Sequence, residues 1–566
     1  MGLGVLEPKS ATHVPGTVLL DQAAAHSESQ TGHLKHGAGK NSNIILSPQP
    51  SEDPNDPLNW SQTKKNLVFF VICFGVVIHG VVPNPLLNPG IVLISLQIGR
   101  SVTDVAKISG YLLLATGAIG PFASALGRKY GKRPCYVLSS IVGTIGCIVC
   151  ETATGYNTLV AGRVLEGLAI AAYESLAVAS IGDIYFVHER GTKTALLMFL
   201  LAGISNGVSI VAGVITENLG WHFNFHILLP FAIVQTIAVI LYCPETMYRR
   251  NHIYETDQVG SEENLEKLAA IEDRARHRED IKASSVEVAE SSDLEKTTSR
   301  ISTLNIPPKK TYWQELALYN GTFVDDSIFK MVLACIAILF NVAAFYQIIL
   351  TGAIIAWYVG VAISSGVIFA SPPYLMGSAA IGYMSAGPLI GGFLGSAICS
   401  VTAEPYIKWI TRKNRGVYEP EFWLPPVAID GACAIAGLVG FGFSTQNNAS
   451  IPTTCFCWGL MLFGMTNVAI HCTQWALDSY RTNSTELFVM NMVFKNFFFY
   501  GLTNYIIQWW ELQGIVDLTG TMAGITGALC LLAIPIYMFG KKYRNFWHHH
   551  NVIKMLHLET DKSGAE

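Results

Sequence analysis

The amino-acid sequence predicts an all-α membrane protein made of two six-helix bundles, and three observations support this prediction. Of the 566 residues, 51% are hydrophobic and only 14% are charged, whereas soluble globular chains usually carry about 25% charged residues. Apolar windows of roughly 20 residues, the length that a spanning helix needs, recur too closely for globular domains to lie between them. A basic segment also follows an apolar window at the corresponding place in each half, which indicates an internal repeat and hence pseudo-two-fold symmetry.

Twelve apolar windows are the predicted spanning helices. The end of the seventh window can be drawn in several places, because residues 329–375 are almost continuously apolar. No cleavable signal peptide precedes the first window, so we expect that window to act as its own targeting signal. The windows are residues 66–88, 105–126, 135–153, 157–180, 195–216, 224–243, 329–361, 374–402, 425–444, 453–477, 488–509 and 517–539.

The distribution of cations predicts how the helices are oriented. Residues 124–134 hold four cations between the second and third windows, and Lys and Arg accumulate in cytoplasmic loops. If this loop is cytoplasmic, the windows leave only Arg100 and Lys107 on the opposite side. We therefore predict a multi-pass protein of the plasma membrane with both termini cytoplasmic. The vacuolar membrane or another internal membrane is the alternative location.

The windows and the charged segments divide the chain into five parts. Residues 251–310 contain a large share of the charge and few aromatic residues, which favours a solvated linker over a folded domain. The polar first 65 residues are predicted to be mostly disordered. The parts are an N-terminal cytoplasmic tail (1–65), a first six-helix bundle (66–243), a cytoplasmic linker (244–328), a second six-helix bundle (329–539) and a C-terminal cytoplasmic tail (540–566).

Composition and motifs argue against several other functions. A net charge of −4 gives no reason to expect nucleic-acid binding. Cys147 and Cys150 form a C-x-x-C inside an apolar window without a second pair, which favours packing over redox or zinc chemistry. The sequence contains no phosphate-binding loop, H-E-x-x-H or G-x-S-x-G motif, so we predict no enzyme activity, cofactor or metal. The protein is predicted to be a monomer whose partners are a small-molecule substrate, protons and the lipid bilayer. Asn448 is a candidate N-glycosylation site.

Three ionisable residues of the fourth window are the predicted proton-coupling residues. Arg163, Glu166 and Glu174 share one helix face at about 100° per residue. An ionisable side chain inside a spanning helix is unfavourable by about 2.5–3.5 kcal/mol, so this face must point into the bundle or a wet cavity. The functional interpretation is that Arg163 and Glu166 form a pair whose strength changes with protonation, while Glu174 binds a proton or a cationic cargo. The alternative is a structural ion pair that fastens helices together.

Polar and aromatic side chains of the other windows are candidates for a cargo cavity. Lys495 is predicted to pair with Asp430 or with a glutamate of the first half, or to attract an anionic cargo. The aromatic candidates are expected to line an apolar pocket of the kind that accepts organic molecules or cations. A lone helix histidine is more often a packing residue, which favours that interpretation for His79. The cavity candidates are Tyr173, Asn341, Tyr346, Gln347, Asp430, Gln474 and Lys495.

Charged residues on the predicted cytoplasmic side are candidates for a gate. Those that follow the fourth window are expected to contact the basic loop at 127–133 and to close this side when the opposite side opens. An ordinary solvated loop is the alternative interpretation. The gate candidates are Arg128, Lys129, Gly131, Lys132, Arg133, Asp183, Glu189, Arg190, Arg412 and Lys413.

Eight short segments occur in a characteristic order relative to the predicted windows. They are DPNDPLNW, RKYGKRP, AGRVLEGLAIAA, IGDIYFVHERGTKTA, GWHFNFHILLP, CPETMYRR, RKNRGVYEPEFWL and FGKKYRNFW. These segments and their order resemble those of the major facilitator superfamily. Within it, the sequence is similar to the fungal drug:proton antiporter family with twelve spanning helices, in the branch that includes the yeast histidinol and polyamine permease. Two positions depart from the motifs of this family: Arg128 stands where the loop motif has Asp, and Val208 stands where the fifth-helix motif has Pro.

The resemblance implies a major facilitator fold and proton-coupled transport. It matches Arg163 to the arginine of the family's fourth helix, which the resemblance ties to proton coupling. The implied function is a secondary transporter that moves a small organic solute by alternating access and exports a drug, toxin or secondary metabolite. Uptake of an organic cation such as a polyamine is the alternative, because the fourth window carries acidic residues.

Overall fold

The described chain is almost entirely helical, as the sequence predicts. The computed structural model describes residues 3–7, 14, 16–19, 50–51, 53–249, 308–480 and 483–558. Within these residues, two short strands, β1 (Val18–Leu19) and β2 (Val417–Tyr418), pair in antiparallel fashion. The predicted all-α class is therefore confirmed.

The first half, residues 53–249, contains seven α-helices. Its first spanning segment is interrupted, and the helices after it are continuous. Serine side chains cap two of the N-termini, since Ser61 accepts from the backbone N–H of Lys64 and Ser101 from that of Asp104. The elements are a 3₁₀ turn (Pro57–Asn59), α1 (Gln62–Gly75), a π turn (Val76–Val81), a 3₁₀ turn (Pro85–Gly90), α2 (Ile91–Ile98), α3 (Val102–Tyr130), α4 (Lys132–Glu151), α5 (Tyr156–Ile184), α6 (Val187–Asn218) and α7 (His222–Tyr242).

The second half, described over residues 308–480 and 483–558, contains the remaining helices. Short 3₁₀ turns, Ile338–Phe340 and Pro420–Trp423, precede two of its long helices. The helices are α8 (Tyr312–Glu315), α9 (Ile328–Ala337), α10 (Val342–Ile368), α11 (Ser378–Met384), α12 (Ala386–Lys413), α13 (Pro426–Gln446), α14 (Ile451–Ser479), α15 (Ser484–Thr503), α16 (Ile506–Gln513), α17 (Ile515–Leu531), α18 (Ala533–His549) and α19 (Val552–Met555).

Ten helical segments of the described chain are long and apolar enough to cross a membrane. They overlap ten of the twelve predicted windows, so the prediction of a multi-pass membrane protein is confirmed. The other two windows, 195–216 and 488–509, coincide with α6 and α15, which are helical but are not among the ten.

The seventh window is not one continuous helix, which corrects the predicted span at 329–361. Helix α9 ends at Ala337, and α10 begins at Val342 and runs on to Ile368. Asn341 causes the break, because its side-chain oxygen accepts from the backbone N–H groups of residues 343 and 344 at 3.1 and 3.2 Å. Asn is a favoured N-cap residue for this reason.

Helices of both halves form the interface between the halves. Helix α15 packs against α3, and α11 packs against α6, with further contacts of α12 to α6 and of α9 to α3. The contact of α11 with α6 brings backbones together, because a Cβ atom on Gly213 would lie only 2.5 Å from the carbonyl oxygen of Ser378. Small residues allow such close approach of membrane helices. Within each half, α5 packs against α3 and α4, and α14 packs against α12 and α13.

The described parts of the predicted N-terminal tail lie against the second half. The backbone N–H of Leu6 donates to the carbonyl of Met538 at 2.9 Å, and the Thr17 hydroxyl donates to Glu419 at 2.8 Å. Residues 8–13 and 20–49 of that tail, and residues 250–307 of the predicted linker, lie outside the described residues. The disorder and solvation predicted for those segments therefore stay predictions.

Candidate functional site

The predicted charged face of the fourth window lies on α5, and most of it is buried. Arg163 and Glu166 are 0% and 1% exposed. Nη1 of Arg163 donates to Oε2 of Glu166 at 2.8 Å. The two residues are three positions apart on one helix, so the helical geometry itself brings them together. Each charge offsets the cost of burying the other.

Arg163 also binds the break in the first spanning segment. Three prolines between residues 83 and 89 lack backbone N–H groups, so the helix cannot continue through them and leaves carbonyls without helical donors. The Arg163 guanidinium donates to the carbonyl oxygen of Pro83 at 2.5 Å and to that of Asn84 at 3.2 Å. One side chain thus joins Glu166 to the backbone at the helix break.

A pocket within the first half adjoins this pair. It is a narrow space, too small for a water molecule, and is lined by His79, Pro83 and Glu166 together with residues of α4 and α7. Oε1 of Glu166 and Nε2 of His79 are buried and have no hydrogen-bond partner among the described residues. The carboxyl group can therefore accept a proton on Oε1 while Oε2 keeps its contact with Arg163.

Glu174, the third member of the charged face, contacts the second half of the protein. Its carboxylate accepts from the ammonium group of Lys495 on α15. The sequence left Asp430 or a first-half glutamate as the partner of Lys495, and the structure brings it to Glu174. The Glu174 and Lys495 side chains are 18% and 22% exposed. This ion pair therefore lies at the interface between the halves and is only partly buried.

Tyr173, predicted as a cargo-cavity residue, packs within the first half. Its side chain is fully buried within the first half. The hydroxyl group lies 2.6 Å from that of Ser140, and the ring stacks against His79 with 5.8 Å between centroids. Helical spacing placed Tyr173 near the charged face but could not show that it turns toward α1 and α4.

The cavity candidates of the second half, apart from Lys495, also pack within their own half. Tyr346 donates to the carbonyl of Leu529 at 3.1 Å, and Gln347 donates to Thr351 at 3.2 Å. Asn341 caps α10, as described above. Gln474 donates to Asp478 at 3.3 Å. The hydrogen bonds that these side chains make among the described residues all lie within the second half.

Asp430 lies between α13 and α14 and not beside Lys495. One of its carboxylate oxygens is 3.1 Å from Nδ1 of His471, and the other accepts from Asn467 at 3.3 Å. The Cys399 thiol of α12 is 3.8 Å from the other ring nitrogen of His471. These contacts fasten three helices of the second half to one another.

The basic loop at 127–133 lies at one end of the molecule, here called the basic face, and binds the second half there. Arg128 at the end of α3 donates to Glu486 in the first turn of α15 at 2.8 Å. Lys129 donates to the backbone carbonyl of Asp326 at 2.8 Å. Glu486 was not predicted, although a lone acid at the start of an apolar helix is a recognisable signal.

Gly131 allows an acidic side chain to cap α4. Its φ is +102°, and a Cβ atom there would lie 2.2 Å from Oε2 of Glu245, so another residue would both strain the backbone and displace the carboxylate. Glu245 accepts from the backbone N–H groups of Lys132 and Arg133 at 2.9 and 3.1 Å. Burial raises the pKa of the Glu245 carboxyl group, against the opposing effect of these donors. The Lys132 ammonium group donates to Asp183 at 2.5 Å.

Of the five remaining gate candidates, three make hydrogen bonds within the first half and two are exposed at the end of a helix of the second half. Arg133 donates to the carbonyl of Ile240 near the end of α7 at 2.8 Å, and Arg190 donates to the carbonyl of Gly182 near the end of α5 at 2.6 Å. Glu189 accepts from Gln62 at 3.1 Å. Arg412 and Lys413 are exposed at the end of α12 and do not join the cluster around Gly131.

The second half has a related ionic cluster at the basic face that sequence reasoning missed. Arg544 donates to Glu421 at 2.7 Å and to Glu419 at 2.9 Å. Lys541 is 2.5 Å from Glu419. In the first half the cations begin α4 and the acid follows α7, whereas here the acids precede α13 and the cations lie on α18. The acids of EPEFW and the bases of GKKYR were the available signal.

A second pocket lies between the two halves and is called the interface cavity. Its empty space of about 450 Å³ includes space open to solvent. Residues 84–89 and α6 form one wall, and α10, α11 and Ser385, just before α12, form the other. Among the described lining residues there is no carboxylate, ammonium, guanidinium or imidazole group. Its polar lining includes Asn84, Asn88, Asn206, Ser209, Tyr358 and Ser365.

None of these lining residues was predicted as a cavity residue. The available signal was the run of prolines at 83–89, because helices interrupted by Gly or Pro often mark the binding site of a transporter. Asn448, the glycosylation candidate, is exposed in the turn between α13 and α14, at the end opposite the basic face. That location is compatible with the prediction, which stays untested.

Contacts join the two halves at both ends of the interface. At the basic face Arg128 binds Glu486, as described above. At the opposite end, Glu217 of α6 accepts from the backbone N–H of Ala379 in α11 at 2.6 Å. The Glu174–Lys495 pair and the interface cavity lie at interior positions of the helices. The two contacts thus join the halves on both sides of these central polar groups.

Comparisons with known proteins agree with this architecture. A family model described as "Major Facilitator Superfamily" matches residues 66–494. The chain is 24% identical to an uncharacterised MFS-type transporter of Schizosaccharomyces pombe, over 94% of this chain and 93% of that protein. It is 23% identical to Protein HOL1 of Saccharomyces cerevisiae, over 89% of this chain and 90% of that protein.

One solved structure supports the fold directly. The partially occluded, inward-open xylose transporter XylE from E. coli aligns with a TM-score of 0.53 and 11% identity, over 84% of this chain and 97% of that chain. At this level of identity the similarity concerns the fold alone. Together with the helical arrangement, it confirms the predicted major facilitator fold.

Proposed function

Because the chain belongs to the major facilitator superfamily, we propose that this transporter is proton-coupled and exports a small organic solute by alternating access. One observation carries the proposal. Arg163 contacts a buried carboxylate on one side and, on the other, the backbone of a segment that lines the interface cavity. A proton site and a cargo site are thereby linked through a single guanidinium group.

Glu166 is the proposed proton site. Its unpartnered oxygen faces the pocket beside His79, so a proton can be added without first breaking the contact with Arg163. Protonation removes the negative charge that holds the guanidinium group, which then interacts relatively more strongly with the carbonyls of Pro83 and Asn84. Because Asn84 also lines the interface cavity, the charge on Glu166 affects the cavity wall.

The contacts at the two ends of the interface are the proposed gates. Opening at the basic face requires the Arg128–Glu486 pair to separate, and opening at the other end requires Glu217 to leave the N-terminus of α11. Transporters of this architecture rock one half against the other around a site near the membrane midplane. Alternate breaking of the two contacts would expose the interface cavity first to one side and then to the other.

Export is proposed from the resemblance to fungal drug:proton antiporters, with a drug, toxin or secondary metabolite as cargo. Uptake of an organic cation such as a polyamine is the second candidate, and one contact favours it. A cationic cargo could take the place of Lys495 at the Glu174 carboxylate. We prefer export, because Lys495 already compensates that charge.

The proposed location follows from the cations. Translocation of Lys and Arg is unfavourable, so we place the basic face in the cytoplasm together with both termini. The plasma membrane is the proposed location, and the proposed functional unit is a monomer.

An accumulation assay in transporter-depleted yeast tests the function. Cells expressing the protein should accumulate less of several hydrophobic toxins than control cells, and the difference should vanish when the pH gradient is collapsed. A polyamine tested in parallel should be unaffected. Polyamine accumulation driven by the gradient would instead support the second candidate, and insensitivity of all compounds to the gradient would contradict proton coupling.

A further inference from the structure

We infer that the interface cavity selects an uncharged cargo that both donates and accepts hydrogen bonds, such as an amide, and that Asn88, Asn206 and Tyr358 recognise it. This inference rests on the proposed transport function and names the class of its substrate. It concerns residues that the sequence did not single out.

The first argument is the absence of an available charge in the described lining. No ionised group is among the described lining residues of the cavity, and two charge pairs of the surrounding helices, Arg163 with Glu166 and Glu174 with Lys495, already compensate one another. Arg163 also occupies the carbonyls freed by the helix break, so these do not present a negative surface to the cavity. A cationic or anionic cargo would be desolvated here without a counter-charge, which is strongly unfavourable.

The second argument is the open hydrogen-bonding capacity of two buried amides. Oδ1 of Asn88 and Nδ2 of Asn206 have no partner among the described residues, although the two residues are only 7% and 4% exposed. Buried polar atoms are nearly always hydrogen-bonded in folded proteins. One of these atoms is an acceptor and the other is a donor, so a cargo that satisfies both must carry a donor and an acceptor.

The third argument is the way in which the two halves fix one of these amides. The hydroxyl group of Tyr358 on α10 donates to Oδ1 of Asn206 on α6. This bond orients the Asn206 amide and leaves its N–H donors for a ligand. Because Asn206 belongs to the first half and Tyr358 to the second, movement of the halves changes the geometry of the site. Such a change is what releases cargo on the other side.

The test compares three compounds with six-carbon chains that differ in charge: adipamide, adipate and 1,6-diaminohexane. Each is supplied in radiolabelled form to proteoliposomes containing the purified full-length protein, with an imposed pH gradient. We expect adipamide to be transported at least ten times faster than the two charged compounds. Faster transport of either charged compound than of adipamide would overturn the inference.

Substitutions in the cavity connect this selectivity to its residues. Asn206→Asp replaces the open donor with a carboxylate, so adipamide transport should fall about tenfold while that of 1,6-diaminohexane rises. Tyr358→Phe keeps the shape of the side chain and loses the orienting bond, and should lower adipamide transport without any gain for the diamine. Asn218→Asp, at an exposed position of the same helix, is the matched control and should behave like the wild type. Unchanged selectivity in both cavity variants would overturn the assignment.

Failure of the inference can be told apart from failure of the proposed function. If the proteoliposomes move the hydrophobic toxins of the yeast assay in response to the pH gradient but not adipamide, the transport function stands and the substrate class is wrong. If they move neither the toxins nor any of the three compounds, both proposals fail.

Discussion

Arg163 donates a hydrogen bond to the backbone carbonyl of Asn84, with 3.2 Å between Nη2 and the oxygen. The same guanidinium group binds Glu166 at 2.8 Å, and Asn84 lines the interface cavity. The contact spans 79 positions in sequence and connects the fourth predicted span with the break in the first. It explains why a charge is kept in the interior of a helix bundle: it satisfies carbonyls that the prolines leave without donors.

Replacing Arg163 by alanine should abolish proton-driven transport while the protein remains in the membrane. The substitution leaves Glu166 buried without its partner and the Pro83 and Asn84 carbonyls without a donor. We expect a fall on the order of 100-fold in gradient-driven transport by vesicles, normalised to the amount of protein in the membrane. Such a fall corresponds to about 2.7 kcal/mol of transition-state stabilisation.

Two further variants control for loss of folding. Arg163→Lys keeps the charge but not the two-pronged geometry, and should retain a small part of the activity. Arg412→Ala removes an exposed cation and should transport normally. Normal gradient-driven transport by the Arg163→Ala variant would remove Arg163 from the coupling mechanism.

Glu166→Gln should uncouple cargo movement from protons. The amide resembles the protonated carboxyl group in shape and charge, so the variant permanently mimics the protonated state of Glu166. Exchange of labelled for unlabelled cargo should continue, whereas accumulation against a gradient should be lost and the rate should no longer depend on pH. Glu404→Gln, at an exposed position on α12, should keep both properties. Accumulation by the Glu166→Gln variant with a wild-type pH profile would place the proton elsewhere.

The sequence predicted contacts between residues that are close in sequence better than contacts between residues that are far apart. Arg163 and Glu166 were predicted correctly as neighbours because their spacing on one helix fixes their distance. Glu174 and Lys495 are 321 positions apart, and only tertiary packing chooses between the partners that the sequence allowed. The helical class and the multi-pass character follow from composition and window length, which do not depend on tertiary contacts.

The placements that the sequence could not specify have a common physical cause. A helix face that avoids lipid can turn toward its own bundle or toward the other half. The spacing of polar residues along the helix is the same in both cases, so it does not distinguish them. Tyr173 and Asp430 were therefore predicted to line a cargo cavity but pack within their own halves. Asn341 was treated as a polar side chain in a long window, whereas its oxygen caps α10. The interface cavity was missed because its amides and hydroxyls carry no charge that stands out in an apolar segment.

Gly131→Ala should destabilise the basic face. Gly131 has a φ of +102°, and the added Cβ would lie 2.2 Å from a Glu245 oxygen, so the substitution adds both strain and a clash. Gly220→Ala is a matched control, because Gly220 has a φ of +96° but no atom lies within 4 Å of its Cβ position. We expect the free energy of unfolding to fall by about 1 kcal/mol in the control, from strain alone, and by about 2–4 kcal/mol in Gly131→Ala. Equal shifts in the melting temperature of the two detergent-purified variants would show that the Glu245 contact is unimportant.

Tags on both termini should be found in the cytoplasm. The prediction follows from the cations at the basic face, since their translocation is unfavourable. Epitopes placed before Met1 and after Glu566 should bind antibody in spheroplasts only after permeabilisation. An epitope inserted beside Asn448, at the opposite end of the molecule, is the positive control and should bind antibody without permeabilisation. Detection of either terminal tag in intact spheroplasts would reverse the proposed orientation.

Exchanging Glu174 and Lys495 tests whether their ion pair couples the two halves. Either residue changed alone to alanine leaves its partner partly buried and uncompensated, which is more costly than losing both charges. Each single variant should therefore lower the melting temperature and the transport rate. The variant carrying both Glu174→Lys and Lys495→Glu should recover most of each, because the opposite charges still meet across the interface.

The same exchange distinguishes the two candidate cargoes. Transport of an uncharged compound depends on the pair only through the contact between the halves, so the exchanged variant should transport it nearly as well as the wild type. A cationic cargo that binds Glu174 directly would meet a lysine at position 174 in the exchanged variant, and its apparent affinity should fall at least tenfold. Exchange of Glu404 with Lys408, an exposed pair on α12, should change neither quantity, since surface ion pairs contribute about 0–1 kcal/mol. If the exchanged variant is no better than the single alanine variants for any compound, the ion pair itself does not link the halves, and Glu174 and Lys495 act through other contacts.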